Sequence, residues 1–237
     1  MPIPNGQFAR LRAFDQALGV QFRPSTDLAP LAQASEPVTA AVPETLEALQ
    51  VVAAAAFPGV DSLADASQLV FGEGNPAADL VFVGEAPGAE EDRTGRPFVG
   101  AAGQKLDEII TAMGLTRSDV YICNVLKARP PQNRTPLPDE VAAHLPFLQQ
   151  QLAIIRPAVI VALGGPAAKV LLNTSTGITQ LRGRWGFWQG PAGLQIPVMP
   201  TFHPAYLLRQ YTPEVRGQVW SDMQAVMVRI GLVTDNA

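Results

Sequence analysis

The stretch LVFVGEAPG, residues 80–88, decides the fold. Four apolar residues, Leu80 to Val83, run without alternation into a turn built on Gly84, Pro87 and Gly88. A short run with no polar face suits a strand covered on both sides, as in a parallel sheet. Three further runs read the same way: Val120–Cys123, Val159–Leu163 and Ile196–Met199. Helical patterns over roughly 101–114, 138–154, 165–172 and 213–230 alternate with them. The alternation predicts an α/β domain, a three-layer α/β/α sandwich around a four-stranded parallel sheet. In such sheets ligands bind beyond the carboxyl ends of the strands, so the residues after each strand are the candidates for a site.

Composition bounds the possibilities. The 237 residues are 47% hydrophobic and 16% charged, with a net charge of −4. That supplies a sizeable core and excludes a fully disordered chain. An acidic whole-chain balance gives no hint of nucleic acid, so local clusters must carry any such argument. The one cysteine, Cys123, excludes an intramolecular disulfide and any multi-cysteine metal site within the chain. No apolar signal core and no membrane span are present in the sequence, which suits a cytoplasmic protein, expected to be a monomer. Residues 7–18 predict a short amphipathic helix and 24–46 a linker rich in Pro, Ala, Ser and Thr. An N-terminal extension over 1–45 and a compact domain over 46–237, opening with an Ala-rich helix through Ala56, are therefore expected.

Each strand hands over to chemistry-bearing residues. After the first come Glu85, Ala86, Glu90, Glu91 and Asp92, readable as an acidic helix start or as a site. In GRPFVGAAG, 95–103, the glycines allow close backbone approach to a ligand and the following helix offers N–H groups to a phosphate. Phe98 there serves either to stack on a flat ring or to fill the core. The second strand delivers Asn124, whose amide either reads a base edge or caps a turn. The loop after it carries Lys127, Arg129 and Arg134 among three prolines and no acid. A stiff basic loop suits phosphate, and a solvated connector is the plain alternative. After the fourth strand stands His203, one of two histidines, and RGRW, 182–185, adds a cationic patch with an aromatic.

GEAPGAEEDRTGRPFVGAAGQKL (84–106), NVLKARPPQNRTP (124–136) and HPAYLLR (203–209), in this order, resemble the uracil-DNA glycosylase superfamily, and family 4 most closely. The resemblance covers roughly residues 46–230. It implies a protein that flips uracil out of DNA and hydrolyses its glycosidic bond without strand cleavage. It assigns Glu85 to the attacked sugar carbon and its water, with Glu91 as a second acid and Asn133 as an amide near that water. It assigns Phe98 to the uracil face, Asn124 to the Watson–Crick edge and Ala86 to the same pocket. His203 is to bind uracil O2. Leu207 or a neighbour is to enter the gap left by the base, with Arg209 near phosphates and Lys127, Arg129 and Arg134 also on DNA.

The resemblance also implies a [4Fe–4S] cluster on four cysteines, and here the chain departs. The positions fall near Ala55 to Val60, at Ala128 and around His144, none of them cysteine. Apolar packing is expected in the cluster's place, and no cofactor. The covalent uracil-DNA traps of a related group use a histidine in an Arg-rich loop, and residues 129–136 have none. A DNA-binding protein that recognises damaged bases without turnover is the alternative from another class. A small-molecule nucleotide hydrolase is disfavoured by the absence of a P-loop and of a dinucleotide fingerprint.

Overall fold

The computed structural model describes residues 43–233. The helix expected over 7–18 and most of the expected linker lie outside them. Two compact units are distinguished, Met1–Ala56 and Phe57–Ala237. The described part of the first contains one helix, α1 (Leu46–Ala56), where the sequence places it.

The second unit is a six-stranded mixed sheet with helices packed on it, which corrects the four-stranded expectation. The strands are β1 (Glu73–Gly74), β2 (Leu80–Gly84), β3 (Tyr121–Asn124), β4 (Val159–Leu163), β5 (Gly186–Gln189) and β6 (Gln195–Thr201). Their order is β1-β3-β2-β4-β6-β5. The four strands read from the sequence form the parallel centre, and β1 and β5 close the edges antiparallel. Every residue of β2, β3 and β4 is buried, which is why those runs carry no polar face.

The helices of this unit are α2 (Ala89–Thr94), α3 (Ala101–Ala112), α4 (Pro138–Ile155), α5 (Gly165–Leu172), α6 (Ile178–Leu181), α7 (Pro204–Arg209) and α8 (Pro213–Arg229). Proline opens α4, α7 and α8 at the position where its missing N–H costs nothing. Leu80, Phe82, Leu106, Ile110, Val161 and Val226 meet in the main core.

The parallel part of the sheet starts at β2, and from there the chain crosses to β3 on one side and returns to β4 on the other. The switch point therefore lies at the carboxyl end of β2. Gly84 pairs with Asn124 there, and the loops after β4 and β6 bring Gly164 and His203 to the same end of the sheet.

Candidate active site

Gly84 forms the floor. A Cβ placed on it would lie 2.3 Å from Asn124 Oδ1 and 2.5 Å from Phe98 Cζ, so amide and ring converge over a position that only glycine leaves open. Asn124 Oδ1 is the one fully buried side-chain polar atom without a hydrogen-bond partner among the described residues. Such an orphan is costly unless a ligand satisfies it. The His203 ring stands 5.7 Å from that of Phe98, tilted by 31°. His203 Nδ1 accepts from the Ala205 N–H at 3.1 Å, which leaves Nε2 to carry the proton. Burial, aided by Arg209, lowers its pKa to about 4, so the ring is neutral near pH 7. Glu85 follows Gly84 directly, and its backbone carbonyl accepts from Leu126 N at 3.0 Å. Burial pushes its carboxyl above the ordinary range.

The wall carrying Phe98 is braced from behind. Phe98 sits at φ 52°, a conformation most L-residues avoid. Arg117 donates to the carbonyls of Pro97 at 2.7 Å and Phe98 at 3.0 Å while paired with Glu73 and Asp107. A Cβ on Gly103 would fall 1.9 Å from Phe98 O, so this glycine admits the loop's own backbone. Glu91 completes the frame. One carboxylate oxygen accepts from Gly88 N at 3.0 Å, the other from Val99 N and Gly100 N at 2.9 Å each. The N–H of Gly100 at the start of α3 is thus taken by Glu91 rather than offered to a phosphate. Arg117 was not legible as a site residue, because only the fold brings it against 97–98.

The basic loop differs most from expectation. Lys127 is 0% exposed, so it cannot meet phosphate. Its ammonium donates to Asn124 O and Gln151 Oε1, both at 2.6 Å. Burial lowers its pKa to about 8. Arg134 is bound to buried Glu140 at 2.9 and 2.6 Å, and Glu140 also accepts from Ser62 and Leu137 N. The acid missing from the loop comes from the next helix. Arg129 Nε donates at 2.8 Å to Oδ1 of exposed Asn133, whose side chain makes no hydrogen bond to Glu85, Phe98, Asn124 or His203. Leu207 is buried against Phe202 and Val219, whereas its neighbour Leu208 is 47% exposed. Arg209 is exposed, and Arg182 of the RGRW patch is tied to Asp222.

The profile of the Uracil DNA glycosylase superfamily matches residues 71–224. The chain belongs to the uracil-DNA glycosylase superfamily. Within it, the chain is similar to the type-4 uracil-DNA glycosylase of Thermotoga maritima, 50% identical over 67% of this chain and 81% of the relative. That of Pyrobaculum aerophilum is 46% identical over 64% and 78%. The type-5 uracil-DNA glycosylase of the same organism is 34% identical over 56% and 64%. The superfamily's α/β fold and the closeness to family 4 agree with the motifs at 84–106, 124–136 and 203–209.

The family's [4Fe–4S] cluster does not fit these residues. Among the described residues no three His, Cys, Asp or Glu side chains converge to hold a metal. Ala128 is fully buried, and the position near 144 is filled by an imidazole engaged at both nitrogens. Polar bonding by His144 joins these segments, beside buried apolar residues such as Ala128, Ala143 and Phe147. Cys123 lies buried in β3 and its thiol is pushed up by burial.

Both histidines of this glycosylase-family protein titrate near pH 4, His144 for the same reason of burial. In the unfolded chain they take up protons near pH 6.5. The unfolded state therefore binds more protons between those values, and stability falls as pH drops from 6.5 to 4. The expected loss is on the order of 2–3 kcal/mol per histidine at the acid end. Glu140, held at about 2 chiefly by Arg134, loses its contribution in a lower window, from 4.5 downward. Thermal melts at half-unit steps from pH 7 to 4 check this; a flat profile down to pH 4.5 would contradict the burial of the two rings.

Proposed function

We propose that the protein excises uracil from DNA, leaving an abasic site in an intact strand. The convergence of Asn124 Oδ1, the Phe98 ring and His203 around Gly84 carries the reading. A pyrimidine stacked on Phe98 meets the orphaned Oδ1 with its edge. Uracil presents an N3–H donor beside the O4 acceptor, and the Asn124 amide supplies acceptor and donor in the matching order. Cytosine presents the reverse and leaves both groups unpaired, a costly outcome in a buried site. Ala86, in the turn above the floor, lines the same pocket.

In the reaction, water oxygen bonds to C1′ of the deoxyribose as the C1′–N1 bond breaks. The bonding pair leaves on uracil, and a water proton passes to solvent. Glu85 orients the water and balances positive charge on the sugar. His203 Nε2–H donates to uracil O2 as negative charge builds there. Glu91, with three N–H groups on its oxygens, positions the Phe98 loop. Arg129, Arg209 and exposed Leu208 face the DNA, Leu208 replacing the flipped base in the stack. Asn133 joins them through Arg129. Lys127 is sealed away and no Schiff base arises from it, so no lyase step follows. Buried Cys123 offers no thiol for an intermolecular bond, in keeping with a monomer in the cytoplasm. Residues 46–237 form the catalytic domain.

Uracil-containing oligonucleotides, single- and double-stranded, test this. The expected products are free uracil and a strand cut only after alkali, with the same result for a chain beginning at Glu44. Selective binding of uracil-DNA by the full chain without uracil release would favour a non-catalytic sensor instead.

A further inference from the structure

Lys127 is a buried ammonium with no carboxylate beside it among its hydrogen-bond partners, which are a carbonyl and an amide oxygen. An apolar side chain of equal length would seal the same space without the desolvation penalty. The lysine does something an apolar residue cannot: it grips the peptide carbonyl of Asn124. Its other partner, Gln151, is itself fixed by donating to Phe71 O at 2.9 Å and Tyr121 Oη at 3.2 Å. The Lys127 main chain is pinned as well. Its N–H donates to His144 Nδ1 at 2.8 Å and its carbonyl accepts from Val70 N at 2.8 Å. His144 Nε2–H in turn donates to Pro58 O at 2.8 Å. The ring lies so close to Gly59, where a Cβ would fall 2.8 Å from Nε2, that the 58–59 turn is moulded on it. One continuous chain of hydrogen bonds thus runs from Pro58 through His144 and Lys127 to Asn124. It joins the same three segments in which the family's cluster ligands would fall, the 55–60 stretch at Pro58, the loop at Lys127 beside residue 128, and α4 at His144.

We propose that His144 and Lys127 form a clasp that braces these segments in place of a metal cluster and holds Asn124 in register for base reading. Both are positioning residues. Neither touches the base, and the clasp acts through the backbone of residue 124. The inference rests on Asn124 reading uracil. Misplacing a substrate-orienting group by about 1 Å costs on the order of a hundredfold in rate, so a loosened Asn124 has a measurable effect.

The test compares the full-length protein with Lys127→Met, His144→Ala, the double variant and Asn124→Ala. Single-turnover excision at saturating enzyme, inhibition by free uracil, and DNA affinity at several salt concentrations are measured for each. Lys127→Met is expected to slow excision at least tenfold and to weaken inhibition by uracil. DNA affinity and its salt slope stay at wild-type values, because the ammonium is not a phosphate contact. The melting temperature falls only modestly, because relief of the ammonium's desolvation offsets part of the cost of leaving Asn124 O and Gln151 Oε1 without their donor. A merely structural lysine predicts lost stability with a normal rate. The double variant is expected to lose no more than the worse single one, as members of one chain of bonds are not additive. If Lys127→Met folds and excises at the wild-type rate while Asn124→Ala does not, the clasp is overturned and the base-reading role of Asn124 stands. If Asn124→Ala also excises normally, the reading of the pocket falls and the clasp with it. Should His144→Ala fail to fold, Lys127→Met alone still decides.

Discussion

Glu85→Ala and His203→Ala are each expected to slow single-turnover excision of uracil by on the order of a hundredfold or more, with little change in DNA affinity. Both act on charge that exists only as the glycosidic bond breaks, so their loss is felt in the chemical step and not in the bound ground state. Glu85 makes no side-chain hydrogen bond or ion pair among the described residues, and burial raises its pKa. Its charge is therefore not already neutralised and interacts in a partly dry site, where it is worth more than in water. The same shift predicts that activity fails at acid pH above the ordinary carboxyl range, as Glu85 takes up a proton. His203 contributes a neutral N–H whose direction is fixed by the bond from Ala205 N to the other ring nitrogen. Because its pKa is about 4, the ring is neutral near pH 7, and the one proton it keeps is the Nε2–H that donates. Single-turnover rates at saturating enzyme isolate this effect from binding. Wild-type rates in both variants would remove the mechanism.

Gly84→Ala is expected to reduce excision by a similar order while the protein stays folded. Gly84 does not occupy the left-handed region, so its backbone accepts alanine. The methyl, however, meets Asn124 Oδ1 at 2.3 Å and Phe98 Cζ at 2.5 Å. Asn124 stands at a buried strand end and Phe98 on a braced loop, so the methyl is accommodated by displacing the amide and the ring themselves. Overpacking of this kind costs about 1–3 kcal/mol of stability. The larger loss falls on the pocket, because the two groups that grip the base are pushed apart. Comparing melting temperature with single-turnover rate separates the two. A Gly84→Ala protein that melts normally and excises uracil at full speed would place the base elsewhere.

The central sheet was legible because burial on both faces writes an unbroken apolar run at 80–83, 120–123 and 159–163. The edge strands were not. Glu73–Gly74 is too short for any pattern, and Gly186–Gln189 alternates exposure between glycines without a clear apolar face. In the site, Glu85, Phe98, Asn124 and His203 each follow a strand or a glycine turn, where sheet topology itself marks ligand positions. Lys127 was misjudged because its charge outweighed its neighbours. Val125, Leu126 and Ala128 continue the apolar run on both sides of it, and all are buried. Arg134 was read as free because its partner Glu140 lies beyond the loop, on α4. His144 stands on the inner stripe of α4 with Glu140, Phe147, Leu148 and Gln151. Three polar residues, Glu140, His144 and Gln151, on an otherwise apolar stripe are the signal that could have exposed the internal network.

Phe98 at φ 52° has a consequence for how the protein searches. A residue held in that region costs roughly 1–3 kcal/mol, and Arg117, Gly103 and Glu91 meet that cost during folding. The wall of the pocket is therefore finished before DNA arrives. On the proposed reading, a base that leaves its stack meets a wall whose backbone is already held in place.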